Sequence, residues 1–520
     1  MTRSRSLPHP DGPASQRRVV DYLSGAGVLD ESQPHIHMTH ASVVFVGASR
    51  VLKIKRAMQL PFLDYSTLDK RRLACHREVE VNQETAPEIY LGVVPIIERS
   101  DGRLAVGGPG TAIEWAVEMR AFDQDDLLSR RVERGDLPAG LIETTAEVVR
   151  AMHERAPRIC GVDHVAKVRA IATDAVHCLR QVAPEIMFDS IERLAQRAEQ
   201  TIAIAEPVLR KRAADGFIRR CHGDLHLANI VLWRGRPTPF DAIEFSEEIA
   251  TVDILYDLAF LIMDLDHGGA RDAANLALNR YLLYSAGIDD IAALRCLPLY
   301  LGLRAAIRAM VATERGTMLD SGTPGAHAAM QEARSYLAHA VRYLSPAAPR
   351  LVAVGGLSGS GKSTLAAALA PTMEPAPGAL HLRSDLERKV MLGVAPDERL
   401  PEASYTAEMS ERVYARLFER AEAALGTGHS VIVDAVFLKP DERDAIATLA
   451  RRHDATFTGL WLDAAPETLR RRVAARSGDA SDATPAVVDL QLSRGTGPLG
   501  WQRVDASGGP DRTLALVRLE

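Results

Sequence analysis

Leu351-Val352-Ala353-Val354-Gly355-Gly356-Leu357-Ser358-Gly359-Ser360-Gly361-Lys362-Ser363-Thr364 runs from an apolar stretch through a glycine-rich turn into the start of a helical pattern. The order strand, tight turn, helix has a definite physical use. Glycines remove the side chains that would block an anion, so backbone N–H groups from Gly356 through Ser358, Gly359, Ser360 and Gly361 turn inward, and the helix N-terminus adds a favourable dipole. The spacing G-x-x-x-x-G-K-S puts Lys362 within reach of the β- and γ-phosphates of ATP and the Ser363 hydroxyl on Mg²⁺, with Thr364 beside it in the first turn. A preceding apolar strand makes a chance match to this spacing rarer still.

Working outward, Ser345-Pro346-Ala347-Ala348-Pro349 is the clearest linker in the chain. Beyond it strand-like and helix-like stretches alternate to the C-terminus, which predicts a parallel sheet covered by helices. Asp385 follows the second of these strands, at His381-Leu382-Arg383-Ser384-Asp385. Ligands of parallel sheets bind at that edge, so the carboxylate is a candidate to take a proton from an acceptor hydroxyl, with Arg388 nearby to neutralise charge. Asp434 ends the apolar run Ser430–Val433 and is a candidate Mg²⁺ or substrate residue. Arg472 and Arg476 are four apart on a predicted helix and share a face, as a lid closing on phosphates requires.

On these residues the segment from about Leu351 to Gly508 resembles the small P-loop kinases that phosphorylate metabolite or polynucleotide hydroxyls, gluconate kinase and the zeta toxins among them. The resemblance implies that Asp385 is the acceptor-activating base. No second acidic pair follows the Asp434 strand, so a mechanical ATPase is the weaker expectation.

A second motif lies far upstream. Cys221-His222-Gly223-Asp224-Leu225-His226-Leu227-Ala228-Asn229 has the spacing H-x-D-x-x-x-x-N, in which a tight loop aims Asp224 at an acceptor hydroxyl while Asn229 faces Mg²⁺. Either Asp241 or Glu244 in Pro239-Phe240-Asp241-Ala242-Ile243-Glu244-Phe245 is expected to supply the further metal carboxylate. Asp253 and Asp257 are candidate braces of the loop. In Val51-Leu52-Lys53-Ile54-Lys55 a strand lysine, Lys53 or its same-face neighbour Lys55, is expected to hold the α- and β-phosphates, with Glu78 on the next helix as partner. Ala116–Met119 is the candidate adenine-contacting hinge.

These features resemble the aminoglycoside phosphotransferase and choline-kinase-like family over about His35–Leu344. As metal carboxylate the resemblance favours Asp241, whose interval from Asn229 is closer to that family's. The whole chain is similar to bacterial proteins that fuse such a domain to a P-loop kinase. Two departures stand out. Gly223 replaces the arginine of protein kinases, so control by an activation-loop phosphate is not expected, and no G-x-G-x-x-G loop lies near Ala41–Gly47.

Composition agrees with a globular protein: 520 residues, 47% hydrophobic and 25% charged, allow two to four domains. A net charge of −6 provides no overall field for nucleic acid, and no apolar stretch is long enough to span a bilayer. The five cysteines contain no C-x-x-C pair, which fits a reducing, cytoplasmic setting. His35, His37 and His40 have ligand-like spacing but no carboxylate among them, so a zinc site is not expected.

The expected organisation is therefore a flexible tail over 1–34, then a protein-kinase-like α+β domain over 35–344 (small lobe about 35–118, large lobe about 119–344). A linker over 345–350 and a P-loop α/β domain over 351–520 complete it. Each domain is expected to use ATP and Mg²⁺ to phosphorylate a small-molecule hydroxyl. The competing expectation is a regulatory or toxin-neutralising ATP binder in which one domain, more readily the N-terminal one, has lost turnover.

Overall fold

The computed structural model describes residues 14–29, 33–39, 41–60, 63–284, 288–320, 322–475 and 480–519. Arg476 and His40 lie outside them. Two compact units divide the chain: Met1–Asp136 with Ala151–Ile159 and Ile218–Asp257, and Leu137–Arg150 with Cys160–Phe217 and Leu258–Glu520.

The first unit is built on an antiparallel sheet. Its strands are β1 (His35–Met38), β2 (Ser42–Val46), β3 (Arg50–Lys55), β6 (Tyr90–Glu98), β7 (Leu104–Val106) and β8 (Thr111–Arg120), in the order β1-β2-β3-β8-β6-β7. The minor hairpin β4 (Gln59–Leu60) and β5 (Leu63–Asp64) follows β3. Alternation along β3 and β8 supplies an apolar layer to each face. Helix α2 (Leu68–Asn82) covers one face with Cys75 and Val79 against Val51, Val117 and Met119. Thr67 caps it by accepting from Lys70 N at 3.3 Å.

Helix α1 (Ala14–Leu23) covers the other face, with Val19 and Leu23 buried on Phe45, Leu52 and Ile54. This corrects the flexible tail expected over 1–34. Val19 and Leu23, four apart, form an apolar stripe, and Gln16 donates to Lys55 O at 2.7 Å and to Glu114 Oε2 at 2.9 Å. The unit continues through α3 (Leu128–Arg134) and, after the break, β9 (Ile218–Arg220) and the hairpin β10 (Ile230–Trp233) and β11 (Arg236–Pro239). Helix α7 (Glu247–Ala250) then leads to β12 (Thr251–Asp253), which pairs with β9.

The second unit holds helices α5 (His164–Val182), α6 (Phe188–Ala214), α9 (Arg271–Leu283), α10 (Asp289–Ala292), α11 (Leu297–Met318) and α12 (Pro324–Tyr343). Helices α4 (Ala139–Arg155) and α8 (Ile254–His267) cross the division between the units. A five-stranded, wholly parallel sheet follows: β13 (Arg350–Gly356), β14 (Leu380–Arg383), β15 (Val431–Asp434), β16 (Thr456–Asp463) and β17 (Gln502–Asp505), in the order β14-β15-β13-β16-β17. Both faces are apolar, as a parallel sheet under helices requires. One face packs Val352, Val354, Ile432 and Leu460 on α13 (Lys362–Leu369). On the other, Trp501 lies against Phe437 with ring centroids 5.1 Å apart. The remaining helices are α14 (Ser384–Met391), α15 (Ala407–Gly426), α16 (Pro440–Arg452), α17 (Pro466–Ala474), α18 (Pro485–Arg494) and α19 (Pro510–Ala515). The first unit thus has the small-lobe sheet and following hairpins of the protein-kinase-like fold, and the sheet of the second is a P-loop NTPase sheet. No single described helix is long and apolar enough to cross a membrane.

Candidate active sites

In the first unit the loop His222–Asn229 is fixed from behind. Asp257 accepts from Gly223 N at 2.8 Å and His222 N at 3.3 Å, and His153 Nε2 lies 3.1 Å from the same carboxylate. Asp257 and His153 are both fully buried. His222 Nε2 meets Phe240 O at 2.9 Å, tying the loop to the segment that carries Asp241. Asn229 Nδ2 donates to Asp224 O at 3.0 Å and Asp224 Oδ2 at 2.9 Å, which orients the carboxylate and turns the Asn229 oxygen the other way. The Asp224 side chain keeps 39% exposure, so the fixed carboxylate is still open to a substrate.

A chain of alternating charges runs beneath it. Asp241 Oδ1 lies 2.6 Å from Lys53 Nζ, and Lys53 lies 2.8 Å from Glu78 Oε1. Glu78 Oε2 lies 2.5 Å from Lys55, which pairs in turn with Glu244, and Tyr65 donates to Glu244 at 2.9 Å. Both lysines point the same way because they are two apart on β3. Burial works against the charge on Lys53, but Asp241 and Glu78 outweigh it and hold the ammonium well above the ordinary lysine value. The two carboxylates left open by the sequence differ here: the Asp241 side chain is 40% exposed, whereas Glu244 is 7% exposed and already held by Lys55 and Tyr65. Spacing alone did not reveal the Lys55–Glu244 pair, since its members are far apart in the chain.

Asp253 is fully buried, and its Oδ1 accepts from Leu255 N at 2.8 Å at the start of α8. One expectation changes. Ala116–Met119 lies inside β8, paired with β3 on one side and β6 on the other. Its backbone groups serve the ladders, so it cannot be an open hinge for a base. His35 and His37 are exposed on β1.

In the second unit the glycine-rich turn leaves β13 and enters α13. Gly356 and Gly359 have φ of +143° and +86°, and a Cβ on either would stand 2.7 Å from a backbone oxygen, of Leu462 or Leu469, so only glycine fits. Gly361, φ +93°, caps α13, and its missing Cβ would point into open space. Ser360 is buried; Lys362 and Ser363 start the helix, with Thr364 exposed beside them. Lys362 Nζ donates to Leu357 O at 3.2 Å.

Register brings the other residues to this turn. Val354, Asp434 and Arg383 are paired partners across β13, β15 and β14, so the strand end that opens the glycine turn stands in one row with Asp434 and Arg383. Asp385 follows two residues on, in the first turn of α14. Asp434 is 3% exposed, with His381 Nε2 at 3.6 Å and Arg383 Nε at 3.8 Å. Burial pushes its pKa up, but His381, Lys362 and Arg383 pull harder and leave it at about 2. Asp385 moves the opposite way: burial and the charge of Asp434 raise it, and Lys362 and Arg383 only partly offset them.

Helices α17 and α18 close over the turn. Gln491 on α18 accepts from Ser358 N at 2.9 Å and donates to Ser358 Oγ at 3.1 Å. The sequence offered no signal for this contact. Arg472 on α17 is corrected. Its guanidinium donates to Ala506 O at 2.7 Å, Ser507 O at 3.4 Å and Gly508 O at 2.8 Å, so it anchors the segment after β17 where a phosphate contact was expected. Arg388 is buried beside Tyr405, 4.8 Å from the ring centroid.

The donor sets suit a hard divalent cation. Asn229 offers an amide oxygen whose NH₂ is already occupied and Asp241 an accessible carboxylate, while Ser363 and the ionised Asp434 offer a hydroxyl and a carboxylate at the other site.

A lysine–glutamate pair under a braced H-x-D-x-x-x-x-N loop, and a phosphate-shaped turn on a separate parallel sheet, together make this chain a fusion of two kinase-type folds. The AAA domain family matches residues 351–498. The uncharacterized protein Rv2004c of Mycobacterium tuberculosis is 30% identical over 495 residues, 94% of this chain and 95% of its own length. The uncharacterized protein Mb2027c of Mycobacterium bovis matches to the same extent. The chain belongs to the family of these mycobacterial proteins. Among solved structures, a choline/ethanolamine kinase family protein of Mesorhizobium loti aligns with 64% of this chain and 99% of its own, at 14% identity and TM-score 0.37. A sugar kinase from Janibacter sp. HTCC2649 aligns with 32% of this chain and 91% of its own, at 23% identity and TM-score 0.25.

Proposed function

We propose that this protein is an ATP-dependent phosphotransferase with two sites, each moving the γ-phosphoryl group of ATP to a hydroxyl of a small molecule. In the first unit Asp224 accepts the proton of the acceptor hydroxyl, Asn229 holds the Asp224 carboxylate in place, and Lys53, steadied by Glu78, meets the phosphates. Asn229 and Asp241 hold Mg²⁺, and in the second unit Ser363 and Asp434 do so; the ion supplies charge neutralisation when bound. There Lys362 and the N–H groups of the turn hold the triphosphate, and Asp385 takes the acceptor proton. Phosphoryl transfer needs mainly positioning and charge compensation, and these residues supply both.

The observation that carries this reading is the fixed yet 39% exposed carboxylate of Asp224, held by Asn229 at 2.9 Å. ADP release by the full chain, measured with a panel of sugars, aminoglycosides and nucleosides, tests the proposal. Asp224→Ala and Lys362→Ala are each expected to lower an acceptor-dependent rate by about 10²-fold or more. If neither does, the paired-kinase reading fails; if only Lys362→Ala does, the first site is a nucleotide binder without turnover.

A further inference from the structure

Strand β14 is the edge of the parallel sheet and leads directly into Asp385. An edge strand carries outward N–H and C=O groups that need partners. On β14 those partners come from a helix that precedes the linker. Asn275 Nδ2 on α9 donates to Ala379 O at 3.0 Å, and Asn279 Nδ2 donates to the same oxygen at 3.2 Å. Asn279 Oδ1 accepts from His381 N at 2.7 Å. Two side-chain amides thus meet, at Ala379 O just before β14 and at His381 N within it, groups that a neighbouring strand would otherwise pair.

The face of α9 is dedicated to this contact. Arg271, Asn275 and Asn279 stand four residues apart and form one stripe. Arg271 NH2 reaches Met373 O and Glu374 Oε1, both at 3.0 Å. At the other end of α9, Arg420 of α15 donates to Leu282 O at 3.0 Å, placing a cation on the negative end of the helix. Gly378 leaves room both for its own loop and for this approach: its φ is +131°, and a Cβ there would stand 2.7 Å from Pro371 Cα, closer still to Ala370 O, and 2.8 Å from Asn275 Nδ2. Asparagine is a poor residue for a helix interior, so two of them on one stripe, Asn275 buried and Asn279 partly so, need a reason beyond helix formation.

We propose that α9 is the surrogate sixth strand of the P-loop sheet and that Asn279 is a positioning residue for the acceptor side of that site. The link is short. Asn279 fixes the backbone of His381, whose side chain lies 3.6 Å from Asp434, and the strand so held delivers Asp385 four residues later. The part of the chain ahead of the linker thereby sets the geometry of the site behind it. The kinetic half of this inference rests on the role given above to Asp385; the structural half does not.

The test uses the full chain and two substitutions. Asn279→Leu keeps the volume but removes the acceptor, whereas Asn279→Asp keeps an acceptor for His381 N. Hydrogen exchange is read at the His381 amide, with the Val433 amide of interior strand β15 as reference. Asn279→Leu is expected to speed exchange at His381 by about tenfold or more with Val433 unchanged, and Asn279→Asp to stay within about threefold of wild type. Exchange at His381 within twofold in Asn279→Leu overturns the surrogate-strand proposal. The positioning role is read from acceptor-independent hydrolysis of Mg·ATP in an Asp224→Ala background. There Asn279→Leu is expected to lower kcat about tenfold with KM for ATP within twofold, and Asn279→Asp to restore most of the rate. An unchanged kcat alongside faster His381 exchange overturns the positioning role alone. If Asp385→Ala itself leaves hydrolysis intact, the assignment of Asp385 fails, and His381 exchange still decides the part played by α9.

Discussion

Lys53 Nζ lies 2.6 Å from Asp241 Oδ1, joining strand β3 to the segment that follows the loop His222–Asn229. The contact sets a buried lysine beside an accessible carboxylate, and its neighbours Glu78, Lys55 and Glu244 extend it into a buried charge chain. The two lysines should therefore respond differently to removal. Lys53→Met is expected to abolish turnover at the first site with a smaller loss of stability, because Glu78 keeps Lys55 and Asp241 is accessible to water. Lys55→Met leaves Glu78 and Glu244 buried without their shared cation, and breaking such a pair costs about 3–5 kcal/mol. Thermal unfolding of the two variants beside wild type distinguishes them; equal losses would contradict the division of roles.

Asn229→Ala should act through Asp224. It frees the Asp224 carboxylate that Asn229 now holds at 2.9 Å and removes a metal oxygen. The expected result is a fall in kcat of about 10²-fold with raised demand for Mg²⁺, measured as ADP release against Mg²⁺ concentration. Asp224→Asn, which keeps the shape, should lower kcat as far but leave the Mg²⁺ dependence near wild type.

Gln491→Ala should loosen the glycine turn. Ser358 N–H and Oγ lose the one side-chain amide that now meets both, a loss of about 1–3 kcal/mol if the N–H stays unpartnered. Weaker ATP binding at the second site, by about tenfold in titration of the full chain, is the expected outcome. Unchanged affinity would mean that nucleotide binding displaces this contact.

Arg472→Met should unsettle the segment Ala506–Gly508, which takes all three of the arginine's described hydrogen bonds. Proteolysis or hydrogen exchange in that segment is expected to rise. Arg472→Lys should not restore it, because a single ammonium cannot span three carbonyls as a guanidinium fork does.

The pH dependence of the second site has a fixed sign. Asp385 serves as a base only when ionised, and its pKa is raised above 3.8 by burial and by Asp434. The acidic limb of kcat/KM at that site should therefore lie above the ordinary aspartate range, with the rate falling as pH drops through it. A limb at or below the ordinary value would remove Asp385 as the base.

Much of this was legible in the sequence because it is local. The strand Arg350–Gly356, the turn and the helix from Lys362 follow from a run of apolar residues, glycines and a lysine within one short stretch. The strand carrying Lys53 and Lys55 and the helix carrying Glu78 were legible in the same local way. What was misread involved a second partner. Residues 14–23 read as polar tail until a sheet face receives Val19 and Leu23. Ala116–Met119 read as an adenine-contacting hinge until β3 and β6 are seen on both sides of it. Arg472 read as a phosphate contact because spacing gives the face of a helix but not what lies opposite.

The sequence by itself determined the phosphate turn at Gly356–Ser363 and the loop at His222–Asn229. Each is a set of backbone conformations and side chains within a dozen residues, where spacing and geometry are the same thing. Only the tertiary structure decided which lysine meets Asp241, which carboxylate is left accessible, and that α9 completes the edge of a sheet formed after the linker. Those outcomes depend on which buried charge and which open backbone group find a partner across long stretches of chain. Desolvation makes each pairing strongly preferred once the fold brings the groups together, and nothing in linear spacing records it.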